Sequence, residues 1–155
     1  MAERIWYVIA AAGRATRFGG PVPKPYLRIA GATLLEHCLR AFSALPGLAG
    51  GAVVLATGDR RFERIPPRLR RRVVAVEGGA TRARSVLNGL QSLITAAGDD
   101  WVLVHDAARP CLLRRDLRAL IAACRRDAVG GLLAIPVADT VKHADRTRCS
   151  HREHS

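Results

Sequence analysis

The chain has 155 residues, 49% of them hydrophobic and 25% charged, which suggests one soluble globular domain with a substantial core. Its formal charge of +12 comes from arginines spread along the chain, without the interleaved aromatic residues typical of nucleic-acid binding, so it favours small anionic substrates and excludes a nucleic-acid partner. No apolar run approaches the roughly 20 residues of a membrane span, and the N-terminus lacks a secretory pattern.

The first predicted element is a buried strand over residues 5–12, followed by a loop rich in glycine, proline and cations. Gly13 permits a tight turn close to a ligand, and consecutive N–H groups in such a loop form an anion-binding concavity. Arg17 and Lys24 add two positive charges beside it. These parts suit a triphosphate, but an ordinary strand-to-helix connection is the alternative, because neither a P-loop nor a dinucleotide fingerprint is present.

Strands and helices alternate along the rest of the chain. A capping-box pattern at Thr33 and Glu36 opens the first helix. The apolar face of the second helix is predicted to comprise Val86, Leu87, Leu90, Leu93 and Ile94. The predicted helices cover residues 33–44, 81–97 and 113–126, and the predicted strands cover 52–56, 73–76, 101–104 and 132–135.

This alternation, with each strand a continuous apolar run, indicates an α/β fold with a doubly wound, mostly parallel sheet. Ligands bind to such sheets at the carboxyl ends of the strands, near a topological switch point. Polar clusters follow four of the five predicted strands, at Gly13, at Gly78 and Gly79, at His105 and Asp106, and at Asp139 and Thr140. Their convergence predicts one binding site at this edge of the sheet.

Asp106 ends an apolar strand, where a buried carboxylate without a partner would be costly. At the end of a strand that faces bound phosphates, this carboxylate can help to hold Mg²⁺. The alternative is that Asp106 forms only a structural ion pair with Arg109. Arg109 itself suits bidentate phosphate binding. His105 is interpreted as a locally hydrogen-bonded histidine, because a phosphate nucleophile needs no catalytic base.

Arg82 and Ser85 lie in the first turn of the second helix, whose N-terminus favours anions. The alternative is that Thr81 caps this helix and Ser85 is exposed. Thr140, in a turn after the last predicted strand, either donates to a phosphate or makes a local turn bond.

The four cysteines form neither a C-x-x-C pair nor a zinc pattern with histidine. Cys38 and Cys124 fall on apolar helix faces, where cysteine behaves as a small hydrophobe. We therefore expect a reduced, cytoplasmic protein.

Four segments carry a family resemblance: A-A-A-G-x(3)-R with P-K-P-Y, G-G-A-T-R-A-R-S-V, V-L-V-H-D-A-A-R-P and P-V-A-D-T-V-K. Together they closely resemble the 2-C-methyl-D-erythritol 4-phosphate cytidylyltransferases, which have a Rossmann-like nucleotidyltransferase fold, from residue 6 to about residue 142. The third and fourth segments are highly specific for that family. The first alone indicates only the wider class of sugar nucleotidyltransferases.

The resemblance implies cytidylyl transfer from CTP to 2-C-methyl-D-erythritol 4-phosphate in the non-mevalonate route to isoprenoids, with Mg²⁺ or another divalent metal. In family terms, Arg17 and Lys24 are the catalytic cations that stabilise the attacked α-phosphate. Asp106 contacts nucleotide, metal and acceptor, whereas Arg109 and Thr140 bind the acceptor. The remaining nucleotide-binding residues implied by the resemblance are Ala11, Ala12, Gly13, Gly79, Arg82 and Ser85.

The resemblance assigns residues 1–145 to the cytidylyltransferase domain and leaves 146–155 as a non-matching, disordered tail. Family chains continue beyond this point with a last strand and helix and an arm that reaches into the partner of a homodimer, so we expect an incomplete domain. Pro25 and Ala80 depart from the family's usual Gln and frequent Asp. Two alternatives stay open: a cytidylyltransferase for ribitol 5-phosphate or another polyol phosphate, and an inactive nucleotide-binding fragment.

Overall fold

The computed structural model describes residues 4–13, 21–93, 100–136 and 138. Arg17, Thr140 and the predicted tail at residues 146–155 lie outside these ranges. The chain divides into two compact units, Met1–Arg118 and Ala119–Ser155, and every described residue of the candidate site belongs to the first. None of the helices in the described ranges has the length and apolar character that crossing a bilayer requires.

Strands and helices alternate as expected. The strands are β1 (Ile5–Ala10), β2 (Arg28–Ile29), β3 (Ala32–Thr33), β4 (Leu48–Leu55), β5 (Val73–Glu77) and β6 (Trp101–Asp106), and the helices are α1 (Leu34–Ser43), α2 (Pro67–Arg70), α3 (Arg82–Gln91) and α4 (Arg114–Cys124). The main sheet has the order β5-β4-β1-β6, and all three of its strand pairs are parallel. Strands β2 and β3 form a separate antiparallel hairpin. The predicted α/β architecture is confirmed.

The main sheet carries helices on both faces. Successive side chains of a strand point to opposite faces. On one face the ring of Tyr7 stacks on Phe42 of α1, with the ring centroids 4.8 Å apart. On the other, Val8 meets α3 at Gly89, where an added Cβ would lie 2.5 Å from Cγ1 of Val8. The sheet is therefore doubly wound, as predicted.

Helix α1 begins with the predicted capping box. The Thr33 hydroxyl accepts a hydrogen bond from the Glu36 N–H at 3.1 Å, and the Glu36 carboxylate accepts one from the Thr33 N–H at 2.6 Å. Loss of such a cap typically costs about 1 kcal/mol. One face of this helix packs on the core, because Leu34, Leu35, Cys38, Leu39 and Phe42, which follow one another at helical spacing, are all buried.

The prediction for the apolar face of α3 is wrong in part. Leu87 and Leu90 are each 39% exposed, whereas Ser85, Gly89 and, just beyond the helix, Leu93 are buried. These three positions follow one another at a spacing of four residues and so share one face. Small side chains at the first two bring the helix backbone close to the sheet, which hydrophobicity alone does not indicate.

The strand predicted at residues 132–135 is also wrong. This segment has no regular secondary structure, and Leu132, Leu133 and Ile135 are exposed. A strand requires a hydrogen-bonded neighbour. No strand in the described ranges pairs with this segment, so its apolar composition alone does not make it a strand.

Candidate active site

One cleft of about 1170 Å³ opens at the carboxyl ends of β1, β5 and β6. It lies where strand order reverses, since the chain passes from β1 outward to β4 and β5 and then returns to β6 on the other side of β1. The cleft is lined by every predicted site residue within the described ranges: Ala11, Ala12, Gly13, Lys24, Gly79, Arg82, Ser85, Asp106 and Arg109. The roles assigned to these residues stay predictions.

The loop after β1 is tied to both neighbouring strands. The Ala11 N–H donates to the Val54 carbonyl oxygen of β4 at 2.8 Å, and the Ala107 N–H donates to the Ala10 carbonyl oxygen at 3.0 Å. At Gly13, an added Cβ would meet none of the described atoms within 4 Å. None of the described residues therefore blocks close approach of a ligand to this backbone.

Lys24 is carried by a short 3₁₀ turn, Lys24–Tyr26. The Tyr26 N–H donates to the Pro23 carbonyl oxygen at 2.9 Å, and the Leu27 N–H donates to that of Lys24 at 3.1 Å. The Tyr26 side chain is buried and anchors the turn. Pro25, which departs from the family pattern, lies within this turn and occupies a position where proline's fixed φ is compatible with helical geometry.

The loop between β5 and α3 packs against the first loop. An added Cβ at Gly78 would lie 2.4 Å from Cβ of Ala12, so only glycine allows this approach. Ser85 is 5% exposed, and its hydroxyl accepts a hydrogen bond from the Gly79 N–H at 3.0 Å. Thr81 caps α3 by accepting from the Arg84 N–H at 3.1 Å. The alternative with an exposed Ser85 is therefore wrong, although the Thr81 cap is real.

Asp106 is paired with two arginines. The Arg82 guanidinium donates from Nε and Nη2 to Oδ1 at 3.0 and 2.8 Å. Nε of Arg109 lies 3.3 Å from Oδ2. A pair with Arg109 alone is thus wrong. Two guanidinium groups around one carboxylate leave an excess positive charge at the cleft, which favours an anionic ligand.

His105 lies one residue before Asp106 but does not line the cleft. Its Nε2 is 3.0 Å from the Arg109 carbonyl oxygen, which confirms the predicted local hydrogen bond. Burial lowers the pKa of His105 and outweighs the neighbouring Asp106 charge, which raises that pKa. The ring makes an edge contact with Phe42, with centroids 5.6 Å apart.

Cys38 lies next to the turn after β6, a position that no sequence pattern predicted. Its sulfur is 3.7 Å from the Ala107 carbonyl oxygen and 3.8 Å from that of Arg109. Asn88 was missed as well, and its side-chain amide donates to the Glu77 carbonyl oxygen at 3.0 Å, tying α3 to the end of β5. Cys38 is 69 residues from Ala107 in the chain, and Asn88 and Glu77 lie 11 residues apart on a helix and a strand, so only the fold brings these groups together.

Asp106 is the one acidic side chain among the described residues that line the cleft, and a metal would bind its carboxylate in place of Arg82 or Arg109. Within the described ranges, no cluster of three or more His, Cys, Asp or Glu side chains has the geometry to hold a metal ion. Mg²⁺ commonly binds through one or two carboxylates and completes its shell with phosphate oxygens and water. The residues present therefore fit a metal that shares a bound triphosphate.

Comparison with known proteins agrees with the site geometry. The family model described as 2-C-methyl-D-erythritol 4-phosphate cytidylyltransferase (IspD) matches residues 5–153. The enzyme of that name from Stenotrophomonas maltophilia K279a is 49% identical over 145 residues, which cover 93% of this chain and 62% of the relative. The one from Ectopseudomonas mendocina is 47% identical over 147 residues, covering 94% and 63%.

Solved structures give the same result. The crystal structure of a 4-diphosphocytidyl-2C-methyl-D-erythritol synthase has a TM-score of 0.82 at 33% identity and covers all of this chain and 69% of that one. The Francisella tularensis cytidylyltransferase has a TM-score of 0.74 at 27% identity, over 99% and 66%. This chain thus spans about three fifths of the length of the curated relatives it matches, 62% in the first case. It belongs to the 2-C-methyl-D-erythritol 4-phosphate cytidylyltransferase family.

Proposed function

We propose that the chain carries out cytidylyl transfer from CTP to 2-C-methyl-D-erythritol 4-phosphate, with release of pyrophosphate. The observation that carries this proposal is the meeting of all the described predicted site residues at one positively charged cleft, at the switch point of the sheet. The sequence and structural relatives named for this reaction support it.

The reaction joins a phosphate oxygen of the acceptor to the α-phosphorus of CTP, and the bond from that phosphorus to the oxygen bridging to the β-phosphate breaks. The acceptor phosphate is already a nucleophile, so no base is needed. The protein's task is to align the two substrates and to stabilise charge on the transferring group. In the proposal, Lys24 and Arg17 stabilise that charge, and the loop after β1 holds the triphosphate.

The remaining roles follow the two sides of the cleft. Gly79, Arg82 and Ser85 form the nucleotide side, where the buried Ser85 hydroxyl fixes the loop. Arg109 and Thr140 form the acceptor side. Asp106 lies between them and would hold a divalent metal, which would neutralise phosphate charge as a Lewis acid when bound. A homodimer and a cytoplasmic location, the latter suggested by the free thiols of Cys38, Cys111 and Cys124, belong to the same proposal.

The decisive test is pyrophosphate release by the purified chain with CTP, Mg²⁺ and one polyol phosphate at a time. Lys24→Ala is the active-site variant. Arg68→Ala removes an exposed cation from α2, outside the cleft, and serves as the control. A second set of assays uses this chain extended by the segment with which family chains continue past D-T-V-K.

Release that requires 2-C-methyl-D-erythritol 4-phosphate and is lost in Lys24→Ala supports the proposal. A preference for ribitol 5-phosphate would change the proposed acceptor but not the proposed reaction. CTP binding with no release from either form of the chain would identify a nucleotide-binding protein and reject the enzyme.

A further inference from the structure

We infer that His105 is a positioning residue for the acceptor side of the cleft: its Nε2–H holds the Arg109 carbonyl and so orients the turn that carries Asp106 and Arg109. This inference rests on the proposed function, because that function makes this side of the cleft the acceptor side. The hydrogen bond itself is a feature of the fold and can be tested without turnover.

The turn after β6 has few other restraints. The Arg109 N–H donates to the Asp106 carbonyl oxygen at 3.1 Å, and the Ala107 N–H donates to the carbonyl oxygen of Ala10, the last residue of β1, at 3.0 Å. The Arg109 side chain is 77% exposed, so packing does not fix its position. Nε2 of His105 lies 3.0 Å from the Arg109 carbonyl oxygen, and this hydrogen bond closes the turn.

The chemistry of this contact determines the histidine tautomer. A carbonyl oxygen only accepts hydrogen bonds, so Nε2 of His105 must carry the proton and donate. We therefore assign a proton to Nε2 of His105.

The imidazole ring is itself held by the core. Its edge contact with Phe42 orients it, and Phe42 is 1% exposed and stacked on Tyr7 of β1. The Cys38 sulfur lies 3.8 Å from the same Arg109 carbonyl oxygen and adds a weak second contact. A rigid aromatic layer thus supports the turn from the α1 face of the sheet.

His105 and Asp106 are neighbours on a strand, so their side chains leave the sheet on opposite faces. His105 therefore does not contact the ligand in this arrangement and acts through the backbone of Arg109. The functional consequence is geometric, because a misplacement of about 1 Å at a reacting group can cost about 100-fold in rate.

Two substitutions separate the hydrogen bond from the ring. In His105→Gln the amide nitrogen is as many bonds from Cβ as Nε2 is, so the donor is kept while the aromatic contact with Phe42 is lost. In His105→Phe the ring is kept and the donor is lost. His105→Asn is the matched control for Gln, since its amide is one carbon too short to reach the Arg109 carbonyl.

Affinity for 2-C-methyl-D-erythritol 4-phosphate and for CTP is measured by calorimetry on the full chain and each variant, alongside unfolding midpoints in urea. We expect His105→Phe and His105→Asn to weaken acceptor binding about tenfold and to leave CTP affinity within about twofold of the wild type. We expect His105→Gln to keep the wild-type affinity for the acceptor. Equal losses in the Gln and Phe variants, no loss in either, or a fall in CTP affinity that matches the acceptor's would overturn the inference.

Nuclear magnetic resonance tests the hydrogen bond and the His105 tautomer without any measurement of catalysis. Long-range ¹H–¹⁵N spectra should show the Nε2–H tautomer at His105, and the Arg109 carbonyl carbon signal and the amide signals of residues 107–109 should shift more in the Phe variant, which loses the hydrogen bond, than in the Gln variant, which keeps it. An Nδ1–H tautomer, or unchanged amide signals in the Phe variant, would refute the positioning role. If the tautomer and shifts are as expected but the wild-type chain binds no acceptor, the proposed function fails and the hydrogen-bonded turn stands.

Discussion

Arg82 and Asp106 are joined across the cleft by two hydrogen bonds, from Nε and Nη2 to Oδ1 at 3.0 and 2.8 Å, although they are 24 residues apart in the chain. Arg82 begins α3, which we propose forms the nucleotide side, and Asp106 ends β6, which we propose lies between nucleotide and acceptor. The pair thus connects the two sides of the proposed active site directly. A ligand that draws the Arg82 guanidinium toward its phosphates changes the partner of Asp106 at the same time.

Arg82→Ala should weaken CTP binding about tenfold, because a charge-assisted hydrogen bond to phosphate contributes roughly 1.5–3 kcal/mol. The folded state should lose less than about 0.5 kcal/mol, since Arg82 is 63% exposed and exposed ion pairs contribute little. Calorimetric titration with CTP and urea unfolding measure the two effects. Arg68→Ala, on the surface of α2, is the control, and an equal loss of affinity there would indicate a general effect of charge.

Lys24→Ala should cut turnover by about 100-fold or more, and far more than it weakens CTP binding. Charge on the transferring phosphorus grows in the transition state, so a cation placed there acts mainly on the rate. Steady-state kinetics with a form of the chain that turns over, compared with direct CTP titration, test this. Equal losses in rate and in affinity would contradict the role given to Lys24.

Arg109→Ala should raise the Michaelis constant for the polyol phosphate about tenfold and leave CTP binding nearly intact, since Arg suits bidentate phosphate binding. Its guanidinium lies on the opposite carboxylate oxygen of Asp106 from that of Arg82. Varying each substrate in turn separates the two constants. A drop in CTP affinity would assign Arg109 to the nucleotide pocket instead.

Gly89→Ala should destabilise the protein by about 1–3 kcal/mol, although alanine is the better helix former. The added Cβ would lie 2.5 Å from Cγ1 of Val8 and 2.9 Å from Cγ2 of Val54, so α3 would have to move off the sheet. Urea unfolding measures the loss. The companion variant Val8→Ala removes the clashing methyl, and a double-mutant cycle should show the two changes compensating in part; strict additivity would exclude the clash.

His105 should make the free energy of unfolding depend on pH. Burial lowers the pKa of His105 in the folded protein; the Arg109 carbonyl and the Asp106 charge oppose this shift, and the Arg109 charge adds to it. The unfolded chain therefore takes up the proton first, and the contribution is present above about pH 6.5 and lost as pH falls toward the folded pKa. Unfolding in urea at pH 7.5 and 5.0 should show a larger loss for wild type than for His105→Gln. Identical losses would contradict the shift.

Local signals in the sequence were sufficient for much of the fold. The Thr33 and Glu36 capping box is a contact between residues three apart, so the sequence alone specifies it. Continuous apolar runs such as β1 predict strands covered on both faces, and alternation with helices implies a parallel sheet. The carboxyl ends of parallel strands meet at one edge of the sheet, so the strand pattern alone predicts the location of the cleft.

Contacts between distant residues were decided only by the tertiary structure. The apolar pattern predicts that Leu87 and Leu90 are buried, but close packing on the sheet buries Ser85 and Gly89 instead. It likewise gave residues 132–135 as a strand, because an apolar run shows which residues avoid water and not which backbone will pair with them. The ion pair of Arg82 with Asp106 belongs to the same class: residue types show that charges will seek partners, and only the three-dimensional arrangement of the chain selects which partners they find.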